Sequence, residues 1–442
     1  MANDRVTAIK AGRLIDGDAA APTEHAIILV EGQRISKVGP EAHVPVPAGA
    51  EIIDASQFTV MPGMFDCHVH IAHWNALTFN NYRVAFWEVP PELQQFYALF
   101  HAQLTFEMGF TTLRDMGRVN SRGQLVTGLC AVRDAINAGI IPGPRLLVCG
   151  ISAITGGHSD LKMARYAERH HRTWADGPWE LRRLTRENLR AGVDWIKTDV
   201  SGGGGTANER PDVRTITQEE LDAIVDEAHA FHKPVAVHCF TVEGQKMCVR
   251  ARVDTIEHMV FSTDESIAMV RESGIPVTPT LIHRSDYGIQ VRRKAGGPEN
   301  VSTKMKRLQP ICYETFQKMH AAGIKIAMGT DLGVDPHVGD NAHELELYVQ
   351  LGMTPIEALK TATKNAAEAV GLGQDLGTIE PGKLADLVIV QGDPSTDIRV
   401  LQSKDNIKLV MKEGRTYVDK LSRDRSYVVH PQPGEWKIID KR

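Results

Sequence analysis

Phe65-Asp66-Cys67-His68-Val69-His70 closes an apolar run that begins near Phe58. In an extended strand successive side chains point to opposite faces, so His68 and His70 point the same way. Two imidazoles one strand period apart can grip a single metal ion. Pro62 and Gly63, just upstream, let the backbone turn into the strand. A lone His-x-His pair also occurs in cores as hydrogen-bonded residues, so its meaning depends on what later strands bring to it.

Downstream, strands alternate with helices. Segments 111–115, 145–150, 194–200, 234–240, 255–260, 276–281 and 325–331 read as strands, and with the first they make eight. Leu221, Ile224, Val225 and Ala228 share one helical face behind a capping box, Thr217-Gln218-Glu219-Glu220. Thr354-Pro355-Ile356-Glu357 opens another helix with Pro at its first position. Eight β/α units in roughly 270 residues predict a TIM barrel, with its active site at the strand C-termini. An open doubly wound sheet would need a Gly-rich phosphate fingerprint after an early strand, and none is found. Gly202-Gly203-Gly204-Gly205 lacks the Walker Lys-Ser/Thr and reads as a flexible loop over the barrel mouth. Residues 8–17 and 26–35, and again 385–390 and 407–411, are β-rich runs punctuated by turns. The two ends are therefore expected to meet in one small sheet domain.

Single ligand-type residues end the later strands: His238 after 234–237, His258 after 255–257 and Asp331 after 325–330. In a barrel these ends surround one axis, so four imidazoles and a carboxylate converge. Nitrogen and carboxylate ligands suit zinc and neighbouring divalent metals. Lys197 ends the apolar strand Val193-Asp194-Trp195-Ile196. An ammonium cannot ligate, and burying it unpaired is costly, so Lys197 is either salt-bridged or chemically modified.

The order His-x-His, Lys, His, His, Asp between two terminal β-segments resembles the metal-dependent amidohydrolase superfamily. Val60-Met61-Pro62-Gly63-Met64-Phe65-Asp66-Cys67-His68-Val69-His70 is similar to its first-strand signature, and Gly377-Thr378-Ile379-Glu380-Pro381-Gly382-Lys383-Leu384-Ala385-Asp386-Leu387-Val388 to its return into the sheet domain. The resemblance implies a (β/α)8 barrel over 61–375 and a small β-sandwich built from 1–60 plus 376–442. It further implies two divalent metal ions, zinc foremost, bridged by Lys197 carboxylated by CO2. His68, His70, Asp331 and Lys197 would hold one ion; Lys197, His238 and His258 would hold the other. Two cations about 3.5–4 Å apart share a water, lower its pKa and present hydroxide to a carbonyl carbon. Asp331 would take the proton and pass it to the leaving nitrogen. His158, in Thr155-Gly156-Gly157-His158, would stand near the substrate carbonyl.

Within the superfamily the layout resembles the branch of Xaa-Pro dipeptidases (prolidases), related carboxypeptidases and ochratoxin-type amidases. The dipeptidases suggest a tyrosine two residues past the fifth-strand histidine, where this chain has Phe240. His283, Arg284 or Tyr287, after strand seven, are alternative contacts for a substrate carboxylate. Trp74, Phe79, Tyr82, Phe86, Trp87, Phe96, Tyr97 and Phe100 crowd one segment of a chain with only 6 % aromatic residues. They read either as an apolar wall for a bulky substrate or as a helix pair covering the barrel or an oligomer contact. The expected substrate is a dipeptide or N-acyl amino acid with an apolar side; the alternatives are aryl amides, carbamates, ureas or a cyclic amide. A non-enzymatic scaffold relative would have lost ligands, and all six positions are filled here.

Composition narrows the partners. A net charge of −5 with no basic run leaves no footprint for nucleic acid or a membrane surface. Six scattered cysteines without C-x-x-C argue against a disulfide framework or zinc ribbon. Without a signal-like segment or an 18-residue apolar run, the expectation is a cytoplasmic globular enzyme of small molecules, assembled as a homo-oligomer.

Overall fold

The computed structural model describes residues 6–72, 89–117, 124–160, 174–207, 209–333, 338–422 and 425–426. The N-terminal segment forms β1 (Val6–Leu14), β2 (Thr23–Glu31), β3 (Arg34–Pro40) and β4 (Glu51–Pro62). β1 pairs antiparallel with β2 and parallel with β4. Gly12 marks the point where the β1–β4 register shifts, because a Cβ there would meet Ser56 O at 2.2 Å.

β4 runs directly into the barrel through Gly63, whose missing side chain leaves room for Thr111; an added Cβ would meet its Oγ1 at 2.2 Å. Seven parallel strands follow in spatial order: β5 (Met64–Val69), β6 (Phe110–Asp115), β7 (Arg145–Ile151), β8 (Trp195–Asp199), β9 (Val235–Cys239), β10 (Thr255–His258) and β11 (Val277–Thr278). The expected eighth strand takes its predicted path but as a broken ladder. Val277 N donates to Lys325 O (3.0 Å), Cys67 N to Met328 O (2.9 Å) and His70 N to Leu332 O (2.7 Å), which closes the ring between β11 and β5. Asp66 is the reason for the break. Its carboxylate takes the amides of His68 and Thr330, both at 3.1 Å, and so replaces ladder partners.

Both predicted capping boxes are present, on the helices Gln218–Ala230 and Pro355–Ala362. Each such cap stabilises its helix by about 1 kcal/mol. Leu221, Ile224, Val225 and Ala228 are buried as their spacing predicts, and burying each of the larger ones contributes about 1.5–3 kcal/mol. No helix among the described residues is long and apolar enough to cross a membrane.

The chain returns as β12 (Leu387–Val390), β13 (Ile407–Lys412), β14 (Arg415–Asp419) and β15 (Arg425–Ser426), and β12 pairs antiparallel with β4. The ends thus form one mixed eight-stranded sheet, as expected. Its outer strand β3 also bonds the segment leading into β12: Ile35 N to Lys383 O (2.9 Å) and Ala385 N to Gln33 O (2.8 Å). The sheet must fold over on itself for this, enclosing Ile9, Ile28, Val30, Leu387 and Ile389. Arg145 of β7 ties it to the barrel through Asp386 (2.9 Å) and Glu413 (2.6 Å).

Candidate active site

His68 and His70 leave β5 toward the same place, as the two-residue period requires. Each ring is held from behind. His68 Nδ1 lies 2.7 Å from Glu257 Oε2, and His70 Nδ1 lies 2.7 Å from Gly117 O. A carbonyl only accepts, so His70 carries its proton on Nδ1. Glu257 is also acceptor-only. Burial alone would raise its pKa, but the Arg114 guanidinium and His68 overcome this and hold it at about 2. As neutral rings both would keep a lone pair on Nε2, and both Nε2 atoms face Asp331 Oδ1, at 3.5 Å from His68 and 3.1 Å from His70.

Three acceptors at such distances repel unless a cation lies among them. Two ligands about 2.1 Å from one metal are about 3.0–3.4 Å apart, which matches. Ligand atoms of His68, His258 and Asp331 all lie within 4.8 Å of one another. A histidine whose other nitrogen is held by a carboxylate or carbonyl is the usual arrangement behind a metal, so the residues fit a divalent ion.

The backbone is strained at the same place. His258, Thr280 and Asp331 adopt left-handed φ values of 75°, 52° and 62° although none is glycine. Each such residue costs on the order of 1–3 kcal/mol and persists only where its surroundings hold it. His258 Nδ1 is paired with Thr280 Oγ1 at 2.6 Å, so two of the strained residues hold each other.

Lys197 is buried, and desolvation lowers its pKa against the pull of Glu257, Asp199 and Asp331. Among the described residues its ammonium has no ion pair, although these three carboxylates act on it from further away. His238 stacks between two rings, on His158 (centroids 4.0 Å) and on Phe240 (4.7 Å), and meets His258 edge-on at 4.7 Å. His158 Nδ1 pairs with the buried Glu209 at 2.5 Å. The glycine loop lies here too, but its reading as flexible is corrected. Gly202, Gly203 and Gly204 are buried, and a Cβ on Gly203 would meet His158 Nδ1 at 2.5 Å and His238 Cε1 at 3.0 Å. These glycines serve close approach rather than motion.

The expected substrate contacts separate. Phe240 is buried, with the Arg284 guanidinium 5.0 Å above its ring. Arg284 Nη1 donates to Thr280 O (3.0 Å), while its Nε has no hydrogen-bond partner among the described residues. His283 is buried, its Nε2 lying 2.6 Å from Asp331 O. Tyr287 is partly exposed, stacks on His343 and donates to Asp340 Oδ2 at 2.6 Å. Trp74, with Phe79, Tyr82, Phe86 and Trp87, lies outside the described residues. Phe96 is described and is 69 % exposed, so it lines no interior wall.

Residues the pattern reading passed over stand behind the ligand-type ones. Glu257 also accepts from Arg114 Nη2 (2.9 Å) and Thr255 Oγ1 (2.6 Å), and Arg114 reaches Cys67 O (2.7 Å) and lies over the Trp195 ring. Asp115 takes the amides of Ile71 (2.7 Å) and Gly117 (2.8 Å), holding the turn that anchors His70; burial pushes its carboxyl up to about 7. Charges inside the apolar strands at 114, 115 and 257 were the available signal. Glu257, however, meets Arg114 and His68 on strands far from it in sequence.

Comparison with known proteins agrees with this geometry. Residues 59–417 match the amidohydrolase family model. The chain is 30 % identical over 444 aligned residues to ochratoxinase from Aspergillus niger, covering 93 % of this chain and 87 % of that protein. A solved Xaa-Pro dipeptidase with methionine bound in its active site superposes with a TM-score of 0.84 at 33 % identity, over 93 % of this chain and all of the other. The A. niger ochratoxinase structure superposes with a TM-score of 0.81 at 27 % identity, over 95 % of this chain and 99 % of that one. With its barrel, its folded-over terminal sheet and its histidine–aspartate centre, the chain belongs to the amidohydrolase family and is a metal-dependent hydrolase of amide or peptide C–N bonds.

Proposed function

We propose that the centre is binuclear: His68, His70 and Asp331 hold one divalent ion, His238 and His258 a second, and Lys197, carboxylated on its amine, joins them. The observation that carries the reading is the set of acceptor atoms on His68, His70 and Asp331 facing one another with each Nδ1 engaged behind. Lys197 adds a buried amine whose pKa burial lowers, as reaction with CO2 requires. Zinc is the ion this donor set suits best. Divalent ions held there supply Lewis acidity toward the scissile carbonyl and acidify water for the attack. Asp331 accepts the proton released on attack and returns it to the departing nitrogen. His158, kept in place by Glu209 and stacked on His238, meets the substrate carbonyl.

The substrate reading is a dipeptide or N-acyl amino acid with an apolar side. Arg284, buried with its Nε unengaged, offers a charge to a carboxylate, and Phe240 beside it offers apolar surface. Its similarity to an ochratoxinase and a Xaa-Pro dipeptidase supports the same class. Phe240 lacks a hydroxyl, which favours neutral aryl amides, carbamates or ureas as the second reading. A hydrolysis panel of Xaa-Pro dipeptides, N-acyl amino acids and aryl amides on zinc-loaded protein, with metal content measured alongside, decides between them. The first reading expects about two metal equivalents and a preference for free carboxylates. Full activity at one equivalent removes the bridge, and preference for neutral amides moves the substrate to the second reading.

A further inference from the structure

We infer that His283 is a positioning residue that holds the backbone of Asp331, not a substrate contact; this rests on the metal-hydrolase reading of the centre.

The ring has both nitrogens committed. Arg292, fully buried behind it, places Nη2 3.2 Å from His283 Nδ1. A guanidinium only donates, so Nδ1 is the acceptor and the neutral ring carries its proton on Nε2. That N–H then points at Asp331 O, 2.6 Å away. His283 is also buried, so what it holds is set by these two bonds.

Asp331 needs such a partner. Its φ of 62° lies in the left-handed region, where a residue with a Cβ stays only when its neighbours hold it. The peptides on both sides of it are held: Asp331 N donates to His68 O (2.6 Å), and Asp331 O accepts from His283. This conformation is what turns Oδ1 toward His68 and His70.

The turn that carries His283 is itself braced. Glu344 takes the amides of Leu281 and Ile282, each at 2.6 Å. Gln309 Nε2 donates to Arg284 O at 2.8 Å. A side chain on a segment pinned at both ends, with both polar atoms engaged, is built to hold a neighbour still. Released from His283, the Asp331 carbonyl loses its donor, the backbone relaxes, and the carboxylate leaves its aim.

The test compares His283→Phe, which keeps a ring but no donor, with His283→Gln, whose amide can accept from Arg292 and donate to Asp331 O. Two quantities are read: kcat and KM on the best panel substrate, and the rate at which zinc is lost to a chelator, followed also by the visible spectrum of cobalt-substituted protein. The Phe variant should lose about 10- to 100-fold in kcat and shed metal correspondingly faster, with KM within about twofold of the wild type. The Gln variant should restore both. If the Phe variant does not fold, His283→Asn serves, because its shorter amide reaches Arg292 but stops short of Asp331. A rise in KM with kcat and metal retention unchanged makes His283 a substrate contact and overturns the inference, as does no change in any quantity. Failure of the hydrolase reading looks different: metal-loaded wild type then cleaves no amide, while metal retention still ranks Phe and Asn below Gln.

Discussion

Replacing Glu257 by glutamine tests the polar pillar that runs through the barrel interior. The carboxylate is fully buried and accepts from His68 Nδ1 (2.7 Å), Arg114 Nη2 (2.9 Å) and Thr255 Oγ1 (2.6 Å). The downward shift from the usual 4.5 to about 2 corresponds to about 3 kcal/mol of folding stability. Removing one member of a buried pair independently suggests about 3–5 kcal/mol, since Arg114 is left as an uncompensated cation. Unfolding entropy of about 2 cal/mol/K per residue turns this into a fall in Tm of about 3–5 °C if the 442 residues melt together. The pH dependence has a definite sign. A carboxyl with a depressed pKa stabilises the fold above about 4.5, and the contribution is lost as pH falls through about 2. The gap between wild type and Glu257→Gln in metal-free thermal melts should thus be full at neutral pH and shrink on acidification. His68 also loses its anionic partner, so chelator competition should show about 10- to 100-fold weaker metal binding. Adding Arg114→Met should recover much of the Tm, because no cation is then stranded, but not the metal affinity. A single variant that melts within about a degree of wild type at pH 7, or a double variant that regains full metal affinity, refutes this account of the pillar.

Three further outcomes are expected. Lys197→Ala should abolish turnover, bicarbonate should not restore it, and a short carboxylic acid should do so in part; near-normal turnover in the steady-state assay rejects the carboxylated bridge. Asp331→Asn keeps one oxygen but cannot accept the proton, so kcat should fall by at least about 100-fold while metal analysis shows a much smaller loss; a loss accounted for wholly by missing metal reduces Asp331 to a ligand. Gly203→Ala places a Cβ 2.5 Å from His158 Nδ1, on a backbone whose amide is tied to Glu209 at 2.5 Å and cannot retreat. Displacing His158 should lower kcat by about 100-fold with metal content retained, and unchanged kcat means that His158 takes no part.

Much of this protein was legible in its linear order because the signals are local. The two-residue period of a strand puts His68 and His70 on one side, whatever surrounds them. Thr217–Glu220 and Thr354–Glu357 each satisfy a helix end with residues three apart, and both caps form. The alternation of strands with helices, and the single ligand-type residues at strand ends, already imply one ring and one centre.

Only the tertiary structure decided what stands behind that centre. Glu257 and Arg114 are 143 residues apart, on β10 and β6, and meet only because the barrel closes. His283, expected as a substrate contact, reaches the carbonyl of Asp331, 48 residues further on, a contact that no local signal announces. The four glycines carried composition but no distance, so a packed loop read as a flexible one. The left-handed turns at His258, Thr280 and Asp331 left no trace in residue type, since non-glycine strain is imposed by surrounding contacts. Periodicity and capping act over a few residues and survive in one dimension. Charge pairing, close approach and backbone strain depend on which distant segments closure brings together.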